Sequence, residues 1–254
     1  MTVTVEDLRM NAPEPISLDE LNAAAALLSR VDRKYALTLA AADAVVASLP
    51  NGTRALQIAG RRRFAYRSTY YDTPELTSFL DTARRRRRRF KVRTRTYVDS
   101  GERFLEVKTR RGGTTVKRRT RFAAAPELDA AALDFLTTAL AEDDATLAGP
   151  LEPVLEVSYD RSTFLLPGAQ CRVTVDRSII WRDLRTGDTL TAPDLSIVET
   201  KSGNAPSAAD RLLWRGGQRP VAVSKYATGL AALRADLPHN RWHRLLTSTP
   251  FAHL

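Results

Sequence analysis

Polar and apolar positions alternate over residues 89–98, which predicts a β-strand. Successive strand side chains point to opposite faces. Lys91, Arg93 and Arg95 therefore share one face, and Val92, Thr94 and Thr96 the other. The same period continues downstream. Asp99 to Glu102 reads as a hairpin turn, and 103–111 as the return strand with Glu106, Lys108 and Arg110 in phase. Gly112 and Gly113 mark another turn, followed by a strand over 115–122 with Lys117, Arg119 and Arg121 in phase. Hairpin pairing of 93–95 with 106–108 is expected to set cations side by side.

Further strands are predicted at 32–37, with Lys34 and Ala36 on one face, and at 64–71, 154–165, 170–182 and 195–201. Arg161, Arg172 and Asp176 fall on these later strands, and Glu199 and Lys201 are in phase on the last. Helical spacing appears at the flanks. Ser17 and Glu20 form a capping box before a helix over 18–30. Thr38 opens a second helix over about 39–49. Short helices are expected at 75–83 and 207–214. Residues 127–141 read as an amphipathic helix burying Leu133, Leu136 and Leu140, and 225–237 as one burying Leu230 and Leu233. Residues 1–15 read as a loose arm and 16–254 as a single domain. The pattern is α+β, mostly antiparallel strands with flanking helices.

Charge changes this picture. The chain has 254 residues, 43% of them hydrophobic, and a net charge of +10. Its pI of about 10.1 points to polyanionic partners: nucleic acid, anionic lipid, nucleotides or polyphosphate. A row of like charges needs an anionic counterpart, and like charges opposite one another destabilise a sheet. Clustered on several strands, the cations suit a sheet closed into a barrel around a bound polyanion. The run Arg84 to Arg89 reads as a solvated helix end and strand entrance, and nucleic acid is not the expected partner.

Other chemistry is excluded by composition. Cys171 is the only cysteine, so neither a disulfide framework nor a cysteine zinc site is available. P-loop, dinucleotide-binding and GxSxG motifs are missing, and all three histidines, His239, His243 and His253, lie near the C-terminus. His239 and His243 are expected at a surface helix end. The first ten residues lack a signal-peptide pattern, and no stretch approaches the roughly 18 apolar residues of a membrane span, so a cytoplasmic protein is expected. Glu106 lies two residues before Lys108, and Glu199 two before Lys201. Such acids are either neutralising ion pairs or ligands for a hard divalent cation bridging phosphate oxygens, and the residues leave both open.

The ordered segments YRSTYYDTPEL (66–76), KVRTRTY (91–97), LEVKTRR (105–111), TVKRRT (115–120), SYDRSTF (158–164), CRVTVD (171–176), VETK (198–201) and VSKY (223–226) resemble the VTC family. That family is the polyphosphate polymerase domain of the vacuolar transporter chaperone, within the triphosphate tunnel metalloenzymes. The resemblance spans about residues 30–235. It implies an antiparallel β-barrel, or tunnel, that binds ATP and a growing polyphosphate chain with Mn²⁺ or Mg²⁺. It implies that Arg93, Arg95, Lys108, Lys117, Arg161 and Arg172 act on the phosphoryl groups. It implies substrate contacts from Lys34, Lys201 and Lys225, and a metal on Glu199, with Glu106 and Asp176 as further candidates.

One position departs from the family pattern, and another from that of the superfamily's hydrolases. Ala222 stands where a second lysine is expected, with Arg219 nearby as a substitute, and Phe104 stands where the superfamily's hydrolases carry a first glutamate. Phe104 leans the resemblance away from the hydrolase branch and towards polymerase, Ala222 points the other way, to a non-catalytic polyphosphate-binding module, and triphosphate or nucleoside triphosphate hydrolysis is the remaining alternative. Coupling to transport would need a membrane partner.

Overall fold

The computed structural model describes residues 13–24, 31–111, 114–123, 127–147, 149–168, 171–248 and 251. Most of the expected arm, the second half of the first helix and the Gly112–Gly113 turn lie outside the described residues. In chain order the elements are β1 (Glu14–Ile16), α1 (Leu18–Ala24), β2 (Val31–Thr38), α2 (Leu39–Ala47), β3 (Arg54–Leu56), β4 (Phe64–Asp72), α3 (Thr77–Ala83), β5 (Arg89–Tyr97), β6 (Arg103–Arg111), β7 (Thr114–Arg121), α4 (Ala130–Ala141), β8 (Glu152–Leu165), β9 (Arg172–Asp183), β10 (Thr189–Ala192), β11 (Leu195–Ser202), α5 (Ala208–Arg215), α6 (Lys225–Leu233) and α7 (His243–Leu246). Hydrogen bonding runs β2-β11-β9-β8-β4-β5-β6-β7. Pairing is antiparallel in every register described except β1 with β3. The fold is the expected α+β arrangement of an antiparallel sheet with flanking helices.

The chain forms two compact units, the first from residues 1–64, 160–178 and 193–221, the second from 65–159, 179–192 and 222–254. In the first, Tyr35, Val198 and Val175 stand in register across β2, β11 and β9, and all are buried. They pack with Leu37, Val173, Ala209 and Leu213, so α2 and α5 cover that face. Full burial of one such valine contributes roughly 1.5–3 kcal/mol. The alternating residues, Lys34, Glu199 and Lys201 among them, occupy the other face.

In the second unit, Val92 pairs with Val107 and Thr94 with Leu105, and these residues face α4. Leu136 and Leu140 are buried there, but Leu133 is 41% exposed, contrary to expectation. The stripe that α4 buries is Ala132, Leu136, Ala139 and Leu140. Leu133 lies about one residue, or 100°, off that stripe. Similarly α6 ends at Leu233, short of 237. Gly229 in α6 packs against the Trp181 ring so closely that any Cβ would collide with it.

Caps follow the sequence signals. Glu20 accepts from the Ser17 backbone at 3.0 Å, and Ser17 Oγ accepts from the Glu20 backbone at 3.2 Å. Thr38 caps α2, and Ser207 and Asp210 form a reciprocal box on α5.

Candidate functional site

The second unit carries a cationic sheet face. Register places Lys91 opposite Lys108 and Lys108 opposite Lys117. The next rung is Arg93, Glu106 and Arg119, and the next Arg95, Phe104 and Arg121. The expected side-by-side cations therefore occur at Lys91 and Lys108, whereas Arg93 faces an acid. The Asp99–Glu102 turn sets that register through a Tyr97 N–H to Glu102 carbonyl bond of 2.8 Å.

Glu106 organises this face. It is 1% exposed. Its Oε2 accepts from Arg93 Nε at 2.8 Å and Nη2 at 2.6 Å, and its Oε1 from Lys117 Nζ at 2.5 Å. Burial alone would raise its pKa. Arg93, Arg95 and Lys117 reverse that and hold the carboxyl well below the usual range. The partner ammonium responds differently. Desolvation, helped by Arg93 and Arg95, pushes Lys117 down to about 8 against the pull of Glu106.

Tyrosines back the cations, which the sequence reading missed. Arg93 Nη1 donates to Tyr70 Oη at 3.1 Å, and Arg93 Cζ lies 5.8 Å from that ring's centre. Arg95 lies over Tyr66 at 5.6 Å, and Tyr66 stacks on Tyr159 at 5.3 Å. Lys225 Nζ sits 4.4 Å above Tyr159. The in-phase pair Tyr66 and Tyr70 on β4 was the available signal. Buried Arg95 Nε and Ser68 Oγ, neighbours across β4 and β5, have no hydrogen-bond partner. Such orphaned donors suit an anion. Lys91 Nζ reaches Ser224 Oγ at 2.9 Å, where Ser224 caps α6.

The first unit carries a mixed face. Glu199 stands opposite Lys34 on β2 and Thr174 on β9, and Lys201 opposite Asp32 and Arg172. Lys201 Nζ forms ion pairs with Glu199 and, at 3.5 Å, with Asp32. Burial lowers the Lys201 pKa against those two acids. Arg161 grips Asp176 through two bonds of 2.6 and 2.8 Å, and Asp176 is buried. Thr174 Oγ1 is buried without a hydrogen-bond partner. Arg219 is exposed and donates at 2.8 Å to the Trp214 carbonyl near the end of α5.

Beneath this face Asp210 ties the strands to α5, another feature the sequence reading missed. It accepts from Tyr35 Oη at 2.7 Å and Thr200 Oγ1 at 2.6 Å, and from the Ser207 backbone at 2.7 Å and its hydroxyl at 2.8 Å. Tyr35 and Thr200 are the chain neighbours of Lys34 and Glu199, so this network orients both.

Among the described residues, no three His, Cys, Asp or Glu side chains converge as a metal cluster. Glu199 nonetheless fits a Mg²⁺- or Mn²⁺-type ion held by one carboxylate plus substrate oxygens, since such ions keep several waters. The orphaned Thr174 hydroxyl is its register partner. Glu106 and Asp176 fit less well, because a guanidinium takes two bonds on each, whereas Glu199 is ion-paired to the Lys201 ammonium.

The family profile of the VTC domain matches residues 29–234. The chain belongs to the VTC-domain family. No curated protein matches this VTC chain. Among solved structures it is similar to a candidate adenylate cyclase from Bacillus halodurans, at 9% identity and a TM-score of 0.49, covering 77% of this chain and 94% of that one. It is similar also to a candidate adenylyl cyclase from Hippeastrum described as having a dominant triphosphatase activity. That match has 12% identity and a TM-score of 0.47, with 84% and 99% covered. Among the described residues of the VTC chain, no helix is long and apolar enough to cross a membrane.

Proposed function

We propose that this VTC chain is a polyphosphate polymerase that transfers the γ-phosphoryl group of ATP to the end of an inorganic polyphosphate chain. The observation that carries the reading is the rung Lys91, Lys108, Lys117. Like charges that share a rung are unfavourable in a sheet; Glu106 offsets Lys117 there, and a phosphate chain laid along the row would supply anionic charge to the rest of the rung. The family membership and the strands that alternate charge with core support it.

In this reading Arg93 and Arg95 hold phosphoryl oxygens. Glu106 fixes Arg93 before substrate arrives, so little reorganisation remains for the reaction. Lys108 and Lys117 carry the adjoining phosphates. Lys225 on α6 adds charge in the second unit; Arg161, Arg172 and Lys34 carry charge on the face of the first, each on its own strand. Lys201 is held by two acids, which leaves it a positioning role beside Glu199. Arg219 caps a helix, so replacement of the missing lysine at Ala222 does not rest on it. A Mn²⁺ or Mg²⁺ held at Glu199 would supply charge neutralisation to phosphate oxygens bound on the first unit's face.

An oxygen of the terminal phosphate attacks the γ-phosphorus in line, the bond to the β–γ bridging oxygen breaks, and ADP leaves. The attacking oxygen is already anionic near neutral pH, so no general base is required. Positioning and charge stabilisation do the rest.

Hydrolysis is the second reading, favoured by the triphosphatase described for the Hippeastrum protein. Phe104 argues against it. Its ring occupies the rung between Arg95 and Arg121, with Arg119 at 4.9 Å, where a hydrolase-type glutamate would stand. The deciding experiment incubates purified protein with ATP and Mn²⁺ or Mg²⁺ and resolves the products. Long-chain polyphosphate is expected. Free phosphate alone would establish the hydrolase, and no turnover a binding module.

A further inference from the structure

The cationic row of the second unit does not stop at Lys91. Arg89 is in phase with it and stands opposite Arg110 on β6. From Arg95 to Arg89 is six residues, about 20 Å of strand. That exceeds the length of a triphosphate. Two further arginines join this end. Arg241 donates to the Thr82 carbonyl in the last turn of α3, and its buried Nε has no hydrogen-bond partner. Arg85 follows α3 with φ of +55°, a left-handed conformation that strains a non-glycine residue.

Two of these groups are braced by carbonyl oxygens. Arg89 Nη1 donates to the Arg86 carbonyl at 2.5 Å, and Arg241 to that of Thr82. Desolvation and then the neighbouring arginines lower the pKa of both Arg89 and Arg241. For Arg89 the pull of Arg110 and Arg241 outweighs that of Asp81. Four guanidinium groups are thus gathered, one on a strained backbone and one with an orphaned donor, at the end of a row that already suits phosphate.

We propose that Arg85, Arg89, Arg110 and Arg241 form a second phosphate-binding station, which holds distal phosphates of a polyphosphate chain whose other end lies on the Arg93–Lys117 face. The proposal rests on the reading of that face as a phosphate site. Guanidinium groups suit it because each offers paired donors to phosphate oxygens. The station makes affinity depend on chain length. Short anions reach only the first face, while long chains span both.

Calorimetric titration of the full chain with tripolyphosphate and with long-chain inorganic polyphosphate tests this. Wild type should bind the long chain more tightly and with steeper salt dependence. The double variant Arg89→Gln, Arg110→Gln should lose about tenfold or more in long-chain affinity and keep its tripolyphosphate affinity. Equal loss for both ligands, or none for either, would overturn the station. If the double variant proves unfolded, Arg85→Ala on the exposed turn decides by the same comparison. Wild type that binds neither ligand would remove the phosphate reading of the first face and the station with it. Wild type that binds tripolyphosphate and shows no preference for the long chain would remove the station alone. Displacement of long-chain polyphosphate by single-stranded RNA at equal charge concentration would likewise count against it.

Discussion

Glu106 and Arg93 stand directly opposite one another on β6 and β5, and a single carboxylate oxygen of Glu106 receives both Arg93 Nε and Nη2. Glu106 is also held by Lys117. Removing the acid would leave two cations crowded together with nothing between them. Glu106→Ala should therefore cost on the order of 3–5 kcal/mol, read by chemical denaturation. High phosphate concentrations should recover part of that loss, because an anion can take the place of the carboxylate.

Arg93 is fixed as a planar fork. A lysine in its place offers a point charge that cannot make both bonds to Glu106 and reach Tyr70. Arg93→Lys should weaken tripolyphosphate binding about tenfold. Arg93→Ala should abolish turnover of ATP. Unchanged turnover in the alanine variant would remove Arg93 from the site.

Lys117 gives a pH signature. Its pKa falls from 10.5 to about 8, so the group is a cation below pH 8 and neutral above it. Affinity for tripolyphosphate should decline as pH rises through 8, and Lys117→Met should remove that inflection. Stability moves the other way. The unfolded chain keeps the proton to about 10.5, so between these two values the unfolded state binds more protons, and this one group adds stability as pH increases.

Glu199→Gln should lower Mn²⁺ affinity, measured by electron paramagnetic resonance in the presence of nucleotide, and with it the rate of ATP turnover. The fold should survive, since Lys201 keeps Asp32 as a partner at 3.5 Å. Undiminished Mn²⁺ binding would move the metal away from Glu199.

Asp210→Ala should destabilise the first unit by about 3 kcal/mol, because it strips partners from Tyr35, Thr200 and Ser207 and removes half of a capping box. Asp210→Asn, which keeps the shape and part of the bonding, should cost less. Equal stability of Asp210→Ala and the parent protein in urea would deny Asp210 this part.

The elements with strong period were legible. The alternation at Lys91, Arg93 and Arg95 assigned the faces of β5, and Ser17 and Thr38 announced their helices. The short strands β1, β3 and β10 were not, because three or four residues carry too little pattern and owe their conformation to the strands they pair with, which for β1 and β3 are distant in sequence. Leu133 looked like core because apolar content was visible and the phase of the buried stripe was not. Among the candidate site residues, charge type and strand face were readable. Which acid neutralises which base was not. Glu106 is close in sequence to Lys108, yet the contacts that define its environment are to Arg93 and Lys117, a choice made by hairpin register. The same holds for Asp210, whose four bonds come from three separate segments.

The two-residue repeat of β5 also limits how such a chain can change in length. Loss or gain of one residue between Arg89 and Tyr97 would exchange Arg93 and Arg95 with Val92 and Thr94, driving guanidinium groups under α4 and valine into the charged rungs. Insertions and deletions in related sequences should therefore collect in turns such as Asp99–Glu102, or occur in β5 by twos.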